Sequence, residues 1–144
     1  MFLQLFIGGV LIAITVLFQA IAFDLIINQS RRLQDHLRDS QKFWKAMFLA
    51  IVVLAVTVVL IIEIWFWAIL YLILDAQPDL EHAIYFSTTC FSTVGFGDLV
   101  LPNQWRILSG VEATNGFLLF GWATAFIFEI VSKVYRREGR NLEP

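Results

Sequence analysis

The chain has 144 residues, of which 59% are hydrophobic and 15% charged, with a formal net charge of −2 and a mean hydropathy of +0.76. A soluble domain runs nearer half apolar and a quarter charged, so this balance excludes a soluble enzyme, a disordered chain and a disulfide scaffold. The mild acidity argues against a nucleic-acid partner, and a single cysteine, Cys90, allows neither an intramolecular disulfide nor a cysteine zinc cluster.

The charges are unevenly spread, and three long stretches nearly lack them. The first apolar run goes from Phe2 to Ile27, with Gln4, Thr15, Gln19 and Asp24 as its polar members. A hydrocarbon core about 30 Å thick takes about 20 helical residues, so residues 1–27 are expected to span a bilayer. A cleaved signal peptide fits less well, because no Lys or Arg precedes the run and no small-x-small site follows it. A polar connection over 28–45 comes next. Its Leu33, Leu37 and Phe43 could lay one face on a leaflet, or the stretch could be a solvated loop or a helix extension.

The second span is expected over 46–74, with Glu63 as its only charge, and the third over 107–131, interrupted by Glu112. A short tail, 132–144, follows. Five cationic residues (Arg31, Arg32, Arg38, Lys42, Lys45) fall in the first connection and four (Lys133, Arg136, Arg137, Arg140) after the third span, leaving only Arg106 in the second connection. The positive-inside rule therefore puts the first connection and the C-terminus in the cytoplasm, and the N-terminus and the 75–106 segment outside. Trp65, Trp67, Tyr71 and Trp105 fit an outer aromatic belt. Glu63, an ionisable residue in the outer half of its span, is expected to hydrogen-bond to the first span or to the short helix of the segment that follows.

The 75–106 segment is too apolar for a solvated loop. Pro78 followed by Asp79 and Glu81 is a helix start, with acids at the positive end of the dipole. The spacing predicts a short re-entrant helix over 80–91, followed by Ser92-Thr93-Val94-Gly95-Phe96-Gly97-Asp98. The two glycines open backbone dihedrals closed to other residues. Alternated with Val94 and Phe96, they let successive carbonyls face one side. Non-helical backbone at membrane depth survives where protein buries it or a water-filled path runs beside it, so these hard oxygen ligands point to a bare alkali cation.

Thr93-Val94-Gly95-Phe96-Gly97-Asp98 resembles the selectivity filter of potassium channels, with Phe where Tyr is commonest. That filter is the reference case of carbonyl-ring selectivity. Together with the span, short helix and span around it, the chain over 46–131 resembles the small bacterial-type potassium channels of the two-span pore-loop superfamily, carrying an additional N-terminal span. The resemblance implies an all-α membrane protein with three transmembrane helices, a pore helix over 80–91, a filter over 93–98 and a homotetrameric pore in the cell membrane. It also implies that the carbonyls of Thr93, Val94, Gly95 and Phe96, with the Thr93 hydroxyl, replace the hydration shell of permeant K⁺, and that Gly97 closes the outer site.

Phe96 lacks the hydroxyl that Tyr would offer behind the filter, so Tyr85, Thr89 or Glu112 is expected to supply that support. Asp98 is expected to form a ring of carboxylates at the outer mouth. His82, near that mouth, is a candidate for sensitivity to outer pH. Gly116 is either a hinge that opens an inner gate or a place of close helix packing. No arginine ladder suggests a voltage sensor, and no organic cofactor or nucleophile suggests an enzyme. Two rival readings are a non-selective cation channel and a non-conducting membrane scaffold.

Overall fold

A computed structural model describes the backbone of residues 1–38 and 43–140 and the side chains of 1–30 and 43–136. Among these residues the fold is all helical. The helices are α1 (Phe2–Arg38), α2 (Trp44–Ile73), α3 (Leu80–Phe91) and α4 (Arg106–Arg140). Three of them, over Phe2–Ser30, Trp44–Ile73 and Arg106–Arg136, are long and apolar enough to cross a membrane. The chain is a multi-pass membrane protein. At 1.5 Å per residue, α3 reaches only about 18 Å and cannot cross.

α1 continues well past Ile27 because no Pro or Gly interrupts 28–38. The expected amphipathic face of the connection rests on Leu33 and Leu37, whose side chains lie outside the described residues. Phe43, just before α2, is exposed.

α2 ends in a hydrogen-bonded turn. The Ala76 N–H donates to the Tyr71 carbonyl (2.8 Å) and the Asp75 N–H to Leu72 (3.1 Å), with Asp75 left-handed at φ 47°. Asp is one of the few side chains that tolerates that conformation. α3 starts as its sequence predicts. Asp79 is the N-cap, and its carboxylate accepts the His82 N–H at 3.0 Å.

Three apolar clusters order the bundle. Phe48 and Val52 pack with Ile130 and Val134 at one end. Phe23, Val56 and Ala123 pack in the middle. Ile64, Trp67 and Tyr71 pack with Phe86, Phe91, Leu108 and Leu119 at the other end. As α2 ascends its partners on α4 descend, so these two helices are antiparallel. α1 and α4 run parallel, with Gln4 beside Gln104, Thr15 beside Asn115 and Gln19 beside Leu119. The N-terminal helix thus packs on both α2 and α4. Trp67 and Tyr71 are fully buried, so they belong to the core rather than to an aromatic belt. Trp65, more than a third exposed, is free to serve that role.

Candidate functional site

α3 carries the site at its C-terminal end. Its last turn is capped by the Ser92 N–H, which bonds to the Thr88 carbonyl at 3.2 Å. Two further α3 carbonyls are taken by the chain that follows. The Thr93 N–H donates to Cys90 (2.9 Å) and the Gly95 N–H to Thr89 (3.0 Å). These bonds satisfy helix-end carbonyls that would otherwise be orphaned, and they fix the start of the 93–98 segment against the helix.

Within that segment, left-handed backbone alternates with ordinary backbone. Thr93, Gly95 and Gly97 have φ of 62°, 52° and 80°, whereas Val94 and Phe96 are not among the positive-φ residues. Thr93 is the strained member, since a β-branched side chain at positive φ costs about 1–2 kcal/mol. Its bond to Cys90 helps hold it there. Val94 and Phe96 are 55% and 71% exposed in the single chain. An open groove of about 330 Å³ runs between α3 and α4, lined by Cys90, Thr93, Gly95, Gly97, Ser109 and Gly110 among others.

A family model described as ion channel matches residues 56–133, more than half of the chain. The chain belongs to this ion channel family. No curated protein and no solved structure gave a match. The matched region takes in most of α2, all of α3, the 93–98 segment and most of α4, and it leaves α1 outside.

The residues expected to support the segment take different places in the channel. The Tyr85 hydroxyl donates to Asp98 Oδ2 at 2.7 Å. That bond holds the Asp98 carboxyl below the usual carboxylate range and pushes the Tyr85 phenol up. Both groups are exposed, so the bond ties the two ends of the site together more than it stabilises the fold. The Thr89 hydroxyl turns back to the Phe86 carbonyl of its own helix (3.0 Å), so Thr89 meets the segment through its backbone carbonyl. Glu112 lies deeper and is fully buried. Its Oε2 accepts from the Tyr71 hydroxyl and its Oε1 from the Ser87 hydroxyl, each at 2.6 Å. Ser87 also reaches the Ile64 carbonyl at 2.8 Å. Glu112 therefore joins α2, α3 and α4 behind the site.

Tyr71 and Ser87 were not among the residues expected at the site. The signal that could have found them is their chemistry, a hydroxyl facing a lone mid-span carboxylate. Cys90 is half-buried, with its thiol 3.0 Å from the Ser109 carbonyl. Glu63 is fully buried, yet neither of its carboxylate oxygens has a hydrogen-bond partner among the described residues. The expected bond to α1 or α3 is therefore not formed. His82 Nδ1 lies 2.9 Å from both Asp79 oxygens. The Asp79 carboxyl is held below the usual range first by the His82 backbone N–H and then by the ring.

Gly116 shows close packing of an unusual kind. A Cβ there would run into the backbone carbonyl oxygen of Phe91 and lie 2.7 Å from its carbonyl carbon and 3.0 Å from its Cα. Gly110 and Gly121, which could have shared the packing role, have nothing within 4 Å of a Cβ.

The Tyr85–Asp98 bond has a titratable consequence. Because the Asp98 carboxyl is lowered in the fold, the stabilisation it brings is complete above the ordinary Asp value and is lost as pH falls through the depressed one. In Tyr85→Phe the Asp98 midpoint should move up toward the ordinary value, read by carboxyl-carbon NMR of the folded protein. An unmoved midpoint would show that the phenol is not the cause.

Proposed function

We propose that this channel is potassium-selective and works as a homotetramer, with residues 93–98 of each chain forming one strand of a four-fold filter. The observation that carries the proposal is the backbone of Thr93-Val94-Gly95-Phe96-Gly97. It alternates in hand at every second residue and is tied by the N–H groups of Thr93 and Gly95 to the end of a helix too short to cross. That alternation lets successive carbonyls gather on one side, while α3 holds the N–H groups of Thr93 and Gly95. Carbonyls of Thr93, Val94, Gly95 and Phe96 and the Thr93 hydroxyl then replace the water around K⁺. Gly97 closes the outermost site, and α3 aims its partly negative C-terminal end at the ion path.

One chain supplies only one strand. Its exposed Val94 and Phe96 and the open groove beside α4 are apolar surface that a ring of copies would cover. Four copies would set four Asp98 carboxylates around the outer mouth, where they raise the local cation concentration. Nine of the ten Lys and Arg residues lie in the first connection or after the third span, which supports an N-terminus outside and a cytoplasmic C-terminus in a cell membrane. Permeation is passive, down the electrochemical gradient.

Purified protein in liposomes tests this reading. Flux driven by a K⁺ gradient, blocked by Ba²⁺ and at least tenfold above that driven by Na⁺, is the expected result. Equal K⁺ and Na⁺ flux would sink the selectivity and favour a non-selective cation channel. A verified oligomer of any number other than four would sink the filter geometry.

A further inference from the structure

We infer that α1 is a splint on α4, and that Thr15 and Gln19 are positioning residues that hold α4 straight across Gly116. α1 lies outside the region matched by the ion channel family, yet among the described residues each of its buried polar side chains, Gln4, Thr15 and Gln19, bonds to α4 or to the turn before it. Asn115 Nδ2 donates to the Thr15 hydroxyl at 2.9 Å, and Gln19 Nε2 donates to the Leu119 carbonyl at 3.1 Å. Gln4 bonds to the Gln104 carbonyl and to the Ile107 N–H at the head of α4. Thr15, Gln19 and Asn115 are fully buried. A lipid-facing helix would have no use for them, because polar groups in an apolar span are costly unless they are bonded.

The placement of the two middle bonds is the telling feature. One grips α4 immediately before Gly116 and the other three residues after it. Glycine is the weakest point of a helix, and at Gly116 α4 lies against the Phe91 carbonyl. Nearby, two other α3 carbonyls hold Thr93 and Gly95. A bend at Gly116 changes the separation of Asn115 and Leu119 along α1 and breaks at least one of the two bonds. The parallel register suits a splint, since α1 also meets α4 one turn up and one turn down. Gly8 packs there without room for a Cβ, which would lie 2.7 Å from Val111 Cγ1, and Phe23 packs with Ala123.

Amide hydrogen exchange of the full-length chain in lipid nanodiscs tests this. The amides of 117–120 bond across Gly116, so their exchange reports the bend. Each interhelical hydrogen bond in a membrane shifts an equilibrium about threefold. In the Thr15→Val/Gln19→Leu double variant, exchange at 117–120 should therefore rise about tenfold while 107–111 stays unchanged. Thr15→Ser, which keeps the hydroxyl, should match the native chain, and Gln4→Leu should leave 117–120 alone. Unchanged exchange in the double variant, or an equal rise along all of α4, overturns the splint.

The consequence for conduction rests on the channel reading above. In single-channel recordings the double variant should shift the ratio of open to closed time about tenfold with unitary current and K⁺/Na⁺ permeability unaltered. An unchanged ratio overturns the positioning role. The exchange experiment needs no ion flow, so failure of the channel reading leaves it decisive.

Discussion

Gly116→Ala should lower ion flux by at least tenfold and destabilise the fold, even though alanine is the better helix former by about 1 kcal/mol. The methyl group would be driven into the carbonyl group of Phe91. Main chain cannot rotate aside as a side chain can, so α4 or the end of α3 must move. Overpacking of this kind costs about 1–3 kcal/mol. The end of α3 is also where Cys90 and Thr89 hold the N–H groups of Thr93 and Gly95, so the displacement reaches the 93–98 segment. Gly9→Ala is the control. It is exposed, has nothing within 4 Å of a Cβ, and should change neither property. Thermal unfolding in detergent, read beside liposome flux, separates two roles for Gly116. A pure hinge would lose gating while the midpoint held or rose, through the better helix propensity of alanine. A packing site loses both, and that is the expected result.

The elements of this channel were legible because their causes are local. Apolar length gives the spans, and Pro78-Asp79 starts α3, which runs from Leu80 to Phe91 as the spacing predicts. The left-handed backbone at Gly95 and Gly97 follows from residue type. The same conformation at Thr93 does not, because nothing in a threonine asks for it; the carbonyl of Cys90 does.

Packing was harder to read for a reason particular to lipid. In α2, Val52, Val56 and Val59 are buried while Val53, Leu54 and Val58 are exposed. Both faces are apolar, so hydrophobic periodicity carries no direction. What marks the packed face in this bundle is polarity. Gln4, Thr15, Gln19, Glu63, Glu112 and Asn115 are all buried. Tyr71 went unread for the same reason, since a tyrosine near the end of a span fits an interfacial belt as well as it fits a buried hydrogen bond. Only the carboxylate of Glu112, 41 residues away, decides between them.

Glu112→Leu should therefore be among the most damaging single changes in α4, and Glu112→Gln a mild one. Leucine fills the space but accepts no hydrogen bond. The Tyr71 hydroxyl would lose its acceptor in a fully buried position, and Ser87 would keep only the Ile64 carbonyl. An unmade buried bond costs about 1–3 kcal/mol, so a loss of about 3 kcal/mol is expected, with lower flux because α3 loses one of its ties to α4. Glutamine can rebuild the network. Its carbonyl accepts from Tyr71, its amide donates to the Ser87 oxygen, and Ser87 donates to Ile64, 2.8 Å away. Tyr71→Phe and Ser87→Ala each remove one donor and should fall between the two, at about 1 kcal/mol. Combined with Glu112→Leu, either should cost little more, because the partner group is already gone. Thermal midpoints of the single and double variants in one detergent measure this coupling. Additive losses would show that Glu112 acts through packing alone, and a glutamine variant as damaged as the leucine one would show that the carboxyl group, not the hydrogen-bond pattern, is what the site requires.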